Sequence, residues 1–124
     1  MSQLIVVLSL LAIGGTACCD DELGADIPSP DGARHPVVFN RGCGATTGFN
    51  TQISILRSGH GLHGKGNLWI ADERSGGPVG KWGGPDVQVR WRSLDTVEVT
   101  FASRVRVFKK EGLVDGITAI YVQR

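Results

Sequence analysis

The first 17 residues carry no Lys, Arg, Asp or Glu, and residues 18–31 carry no Lys or Arg. The uncharged start is predominantly apolar over residues 4–13. A run of that length is too short to cross a bilayer core as a helix, which takes about 20 residues. No later stretch repeats apolar residues at the three- and four-residue spacing of an amphipathic helix, which excludes a helical body. Three cysteines are too few for a disulfide-built scaffold. At 124 residues the chain has room for one domain and none for a separate cofactor-binding lobe. It contains no phosphate-binding loop ending in Lys-Ser/Thr, no zinc-ribbon spacing, no dinucleotide fingerprint and no catalytic triad pattern. The carboxylates Asp72, Glu73, Asp86, Asp95, Glu98, Glu111 and Asp115 show no paired spacing of the acid/base kind. No cofactor is implied.

Residues 1–17 read as a signal peptide. Gly15-Thr16-Ala17-Cys18 resembles a bacterial lipobox, which makes Cys18 the candidate lipidation site and implies a membrane anchor through an N-terminal lipid. Secretion with the same cleavage point is the alternative. Either way the chain is expected in the cell envelope, facing the periplasm if there are two membranes. If Cys18 carries lipid, Cys19 and Cys43 remain as a candidate disulfide contributing about 3 kcal/mol. Otherwise Cys19 lies in a tether and Cys43 is a small buried apolar residue.

Residues 18–31 hold Asp20, Asp21, Glu22, Asp26 and Asp31, with Pro28 and Pro30 near their end, and read as an acidic tether. The β domain is then 32–124, where 13 basic residues face 7 acidic ones although the whole chain is only +1. That excess either attracts an anionic polymer or lipid headgroup or belongs to a solvated sheet face, since the arginines are spread among strands. Within the domain the period is two: Val87, Val89 and Trp91 alternate with Gln88, Arg90 and Arg92, and Val97, Val99 and Phe101 repeat the pattern. Val105 with Val107, Phe49 to Ile55, and shorter runs at residues 36–40, 68–71 and 117–122 bring the count to about seven strands. Gly- and Asp-containing turns such as Pro30-Asp31-Gly32, Arg57-Ser58-Gly59 and Asp115-Gly116 separate them. The expected fold is all-β: a single small antiparallel meander, closed as a barrel or folded as a sandwich. The Gly-rich stretches 59–66 and 76–84 read as mobile or irregular loops, with Trp82 either anchoring the second or exposed as a contact surface.

The most unusual segment is Arg41-Gly42-Cys43-Gly44-Ala45-Thr46-Thr47-Gly48-Phe49. Its glycines allow backbone N–H groups to converge on an anion beside Arg41, or it is a tight connection whose Thr46 and Thr47 hydroxyls satisfy local backbone. A nucleophilic Cys43 needs a histidine from His35, His60 or His63. His60 and His63 have a spacing that fits one metal, completed by Cys43, Asp72 or His35, or they are incidental residues of a surface loop. Lys109-Lys110 and the strand arginines lack the aromatic pattern of nucleic-acid binding, so no nucleic-acid partner is expected.

With this leader, the Cys43-Gly44-Ala45-Thr46-Thr47-Gly48-Phe49 stretch, the run Gly66-Asn67-Leu68-Trp69-Ile70-Ala71-Asp72 and the strand at 87–91, the chain resembles a family of small uncharacterised bacterial envelope lipoproteins. The resemblance implies a location and transfers no activity. In size and address the chain is also similar to small lipid-anchored β-barrel inhibitors of lysozyme, although Ser58-Gly59 runs into His60 where their loop has a different continuation. The leading expectation is a non-enzymatic, membrane-tethered envelope protein that binds a protein or envelope partner through Arg41, Thr46, Thr47 and Phe49 and the neighbouring Gly-rich loops. The alternatives are a thiol- or metal-dependent enzyme centred on Cys43, His60 and His63, a periplasmic inhibitor, and a structural spacer.

Overall fold

A computed structural model describes residues 19–44, 48–73 and 77–124. The signal-peptide residues, Cys18, Thr46 and Thr47 lie outside the described residues. The period-two pattern becomes nine strands: β1 (Asp20–Asp26), β2 (Arg34–Gly42), β3 (Asn50–Arg57), β4 (Trp69–Glu73), β5 (Val87–Ser93), β6 (Thr96–Phe101), β7 (Val105–Lys110), β8 (Leu113–Val114) and β9 (Ile117–Gln123). They form a five-stranded sheet ordered β1-β2-β3-β4-β7 and a four-stranded sheet ordered β5-β6-β9-β8. The fold is therefore all-β with two sheets, not a closed barrel. The seven expected strands are all present, and β1 and β8 add to them.

Pairing is antiparallel throughout except for β6 and β9, which run parallel from Thr96↔Thr118 to Phe101↔Gln123. The cause is an excursion of the chain. After β6 it crosses through residues 102–104 to place β7 in the other sheet, then returns through residues 111–112 to the β8–β9 hairpin. That hairpin closes on Asp115 and Gly116, both at positive φ (51° and 83°), as a two-residue turn matched to strand twist requires.

The acidic tether is a correction. Residues 20–26 are an edge strand, with Asp20 opposite Gly42 and Asp26 opposite Val37, so the folded body includes them and does not start at residue 32. Its carboxylates read as a linker in sequence because charge and proline are common there. At a sheet edge, charge is equally at home, since it discourages pairing with another chain. Two of the acids have partners on β2: Arg41 Nη1 lies 3.1 Å from Asp21 and His35 Nδ1 lies 2.9 Å from Asp26. Cys19 and Cys43 are joined as a disulfide, and their positions continue the β1–β2 register by one step beyond Asp20↔Gly42.

The inner faces of the two sheets meet in a core of Val38, Ile53, Ile55, Trp69 and Ala71 against Val87, Val97, Val99, Phe101 and Ile117. Trp69 is fully buried, with its ring 5.2 Å from that of Phe101. Lys110, opposite Trp69 on β7, holds its ammonium 5.1 Å from the Tyr121 ring and 5.8 Å from that of Phe101, closing one side with a cation on aromatic faces. Burial drives the Tyr121 phenol well above its ordinary value.

Seven of the described arginines are ion-paired. Arg34, Arg41, Arg57, Arg90, Arg92, Arg106 and Arg124 meet Asp115, Asp21, Asp115, Glu98, Glu98, Asp72 and Asp86 in turn. The Asp115 carboxylate accepts two bonds from Arg57, both 2.9 Å, which together with the nearby Arg34 charge hold its carboxyl below the ordinary value. Arg92 and Arg90 do the same for Glu98. Ser29 and the Ala33 N–H do it for Asp31, and Ser93 and Thr96 for Asp95.

Two predictions follow from this frame. Cys19→Ser or Cys43→Ser should lower unfolding free energy by about 3 kcal/mol through release of the closed loop, and reductant should give the same loss in urea titrations of the wild type. Because Asp31, Asp95, Glu98 and Asp115 titrate lower when folded, the stability they contribute is present above about pH 4 and lost as pH falls through their folded values. The urea midpoint should drop on that limb, and Asp115→Asn should flatten it; an unchanged limb would contradict the pairing.

Candidate functional site

The two ends of the sandwich differ. One gathers the turns around residues 28–33, 93–95 and 111–116. The other gathers Cys19, the Cys43 and Phe49 flanks of the β2–β3 connection, the segment 77–86 and the C-terminus. This second pole holds the unusual residues of the sequence.

Residues 78–86 form a small hairpin. Val79 bridges Pro85, the Asp86 N–H donates to the Pro78 carbonyl, and the Gly83 N–H donates to the Gly80 carbonyl at 3.0 Å, with Gly83 at φ +96°. A left-handed residue directly after a tight turn is where glycine is favoured. The turn drives Trp82 inward, where it is 7% exposed. Its indole N–H donates to Thr51 Oγ1 at 2.7 Å, and the Thr51 hydroxyl donates to the Pro85 carbonyl at 2.6 Å. The indole lies against the backbone of Gly24 on β1 and of Gly80 in its own hairpin, and a Cβ at either position would overlap the ring. The β1 bulge between Leu23 and Ala25 falls at Gly24. Trp82 thus anchors the 76–84 stretch within its described part.

The base of the β2–β3 connection is fixed by amide side chains. Asn50 accepts from the Arg41 N–H at 3.0 Å and donates to the Arg41 carbonyl at 2.8 Å, while its own N–H donates to Asn40 Oδ1 at 2.8 Å. Asn50 thereby carries the ladder two steps past the last pair of β2 and β3, Phe39↔Gln52. Phe49, next to it, is 65% exposed and leans on Gly83, whose missing Cβ makes the room. Val79 is 56% exposed. Arg41 is not free for an anion: it reaches Asp21 and the Gly64 carbonyl.

The His60–His63 stretch is not a separate loop. Residues 58–68 lie along the outer face of the five-stranded sheet, where Val37, Phe39, Gln52 and Ser54 are buried. The Gly66 N–H donates to Gln52, the Asn67 amide exchanges two bonds with the Ile55 backbone, and the Lys109 ammonium caps the Gly66 carbonyl at 3.0 Å. Arg41 holds this cover at Gly64, and His35 holds it at the His60 carbonyl, 3.2 Å from Nε2. Both His35 nitrogens lie within hydrogen-bond distance of an oxygen, Nδ1 of the Asp26 carboxylate and Nε2 of the His60 carbonyl.

The structure does not assemble the thiol or metal centre. Cys43 sulfur is bonded to Cys19, His35 is engaged by Asp26 and His60, and the His60 and His63 residues are exposed. Among the described residues no group of three or more His, Cys, Asp or Glu is placed to hold a metal. An open hollow of about 520 Å³ beside β1 and β5 has an apolar floor of Ala25, Ile27, Val38 and Val89, and its ionisable groups, Arg90 and Glu98, are bonded to each other. The displaced carboxyls of Asp31, Asp95 and Asp115 belong to turns and a surface ion pair, and that of Glu98, on the lining of the hollow, is held down by its bonds to Arg92 and Arg90. Sequence reasoning missed Gly24, Thr51 and Asn50. The signal for Asn50 was its place directly after the Gly-rich segment, and for Thr51 only the fold could supply it. Comparison with family models, curated proteins and solved structures gives no match.

Thr51→Val keeps the shape of the side chain but strips the buried Trp82 N–H and Pro85 carbonyl of their partner. It should cost about 3 kcal/mol in chemical denaturation. Gly24→Ala should cost about 1–3 kcal/mol by overpacking against the indole, with a change in tryptophan emission. His35→Ala should speed amide hydrogen exchange over residues 60–66 while leaving β6 and β9 unchanged; equal exchange in both variants would remove the clamp.

Proposed function

We propose that this is a non-enzymatic envelope protein, exported by residues 1–17, anchored through lipid on Cys18, whose loop pole binds an envelope partner. The observation that carries the reading is Phe49: a large apolar side chain left 65% exposed on a base made rigid by the Cys19–Cys43 disulfide, the Asn50 amide and the packed Trp82 hairpin. Ordering the contact surface in advance lowers the entropy that binding would otherwise have to overcome. The likeness to small envelope lipoproteins supports the address. The ion pairing of the arginines favours a solvated role for the basic excess over capture of an anionic polymer.

A photoreactive benzophenone side chain at position 49, compared with one at Leu94 on the opposite pole, tests the reading in cells. Adducts should form at 49 well above those at 94. Equal yields at the two positions would refute a binding role for this pole.

A further inference from the structure

We infer that the partner of this pole is the phospholipid bilayer itself, with Phe49 and Val79 entering the headgroup boundary; this rests on the anchored reading above. The reason is the lost tether. Cys19 is bonded to Cys43 and β1 starts at Asp20, while Cys18 is one peptide unit away, about 3.8 Å between Cα atoms. An acyl-glyceryl group on Cys18 would be joined to the Cys19 end of the pole by a single peptide unit, which would keep that end near the membrane surface. β3, which begins just after Phe49, is two strand spacings from β1, about 10 Å, so Phe49 lies close to the point of anchorage.

The chemistry of the pole selects the kind of contact. Phe49 and Val79 are 65% and 56% exposed, and Lys81 is exposed at the tip of the Val79 hairpin, where an ammonium on an aliphatic stem reaches back to phosphate oxygens. Asp20 and Glu22 are exposed at the same pole. They cancel attraction to anionic lipid, so the contact is apolar and takes zwitterionic headgroups as well as anionic ones.

The test uses the full, processed, acylated protein in phosphatidylcholine vesicles, with benzophenone side chains placed in turn at 49, 79, 94 and 113. Leu94 and Leu113 are exposed at the far pole and serve as controls. Phospholipid adducts, read by mass, should exceed the controls by roughly tenfold at 49 and 79, the factor given by burying one such side chain, and should persist at raised salt. Lipid adducts equal at all four positions, or none at 49 and 79, would overturn the bilayer contact. Adducts at 49 to a protein in cells would overturn it too while leaving the anchored binder standing. A mature mass lacking lipid on Cys18 would sink both.

Discussion

One indole ring fixes the geometry of the loop pole. Trp82 projects from a glycine-bounded turn into a slot floored by Thr51 on β3 and walled by Gly24 on β1. A buried indole gains most when its N–H finds an acceptor, since an unpartnered buried N–H carries a desolvation cost of about 1–3 kcal/mol. The Thr51 hydroxyl supplies that acceptor and donates its own hydrogen bond to the Pro85 carbonyl, so the side chain that satisfies the indole also ties down the strand-side end of the same hairpin. The β1 bulge at Gly24 follows from the same requirement: the strand has no Cβ where the ring passes.

Around that wedge the first edge of the sandwich becomes rigid. β1 would be a marginal edge strand alone, rich in carboxylates and interrupted by a glycine. It is retained by the disulfide at one end, by Trp82 in the middle, and by Trp91, whose N–H reaches the Ile27 carbonyl at 2.8 Å just beyond it. Three attachments along a short strand explain how so polar a segment stays in the sheet. They also hold Cys19, the sequence neighbour of the candidate anchor residue, against the folded body, and the proposed orientation toward the membrane is argued from that adjacency.

The outer face of the five-stranded sheet shows a different economy. β2 and β3 are buried on both sides, although an edge-exposed antiparallel sheet ordinarily has one wet face. The cover is the glycine-rich segment 58–68, whose backbone N–H groups bond to Gln52, Ser54 and the Ile53 carbonyl and which is gripped at His60 by His35 and at Gly64 by Arg41, each backed by an acid of β1. Glycine suits this role because the segment lies close on the sheet: a Cβ at Gly66 would press on the Ile53 carbonyl. Histidines in such a cover present their backbone to the sheet and their rings to water.

The sequence by itself determined the strands and many of the turns. Alternation at 87–91 and 97–101, the Asp115-Gly116 turn and the apolar run at residues 36–39 of β2 all report local backbone preference and burial, which a single segment carries within itself. Only the tertiary structure decided the rest. That the acidic segment is a strand depends on β2 offering Arg41 and His35 in register. That β6 and β9 run parallel depends on the path of β7 through the other sheet. That Trp82 is buried and Phe49 exposed depends on glycines far apart in the chain, Gly24 for one and Gly83 for the other. Each of these is settled by a partner distant in sequence, and a side chain does not announce which partner it will meet.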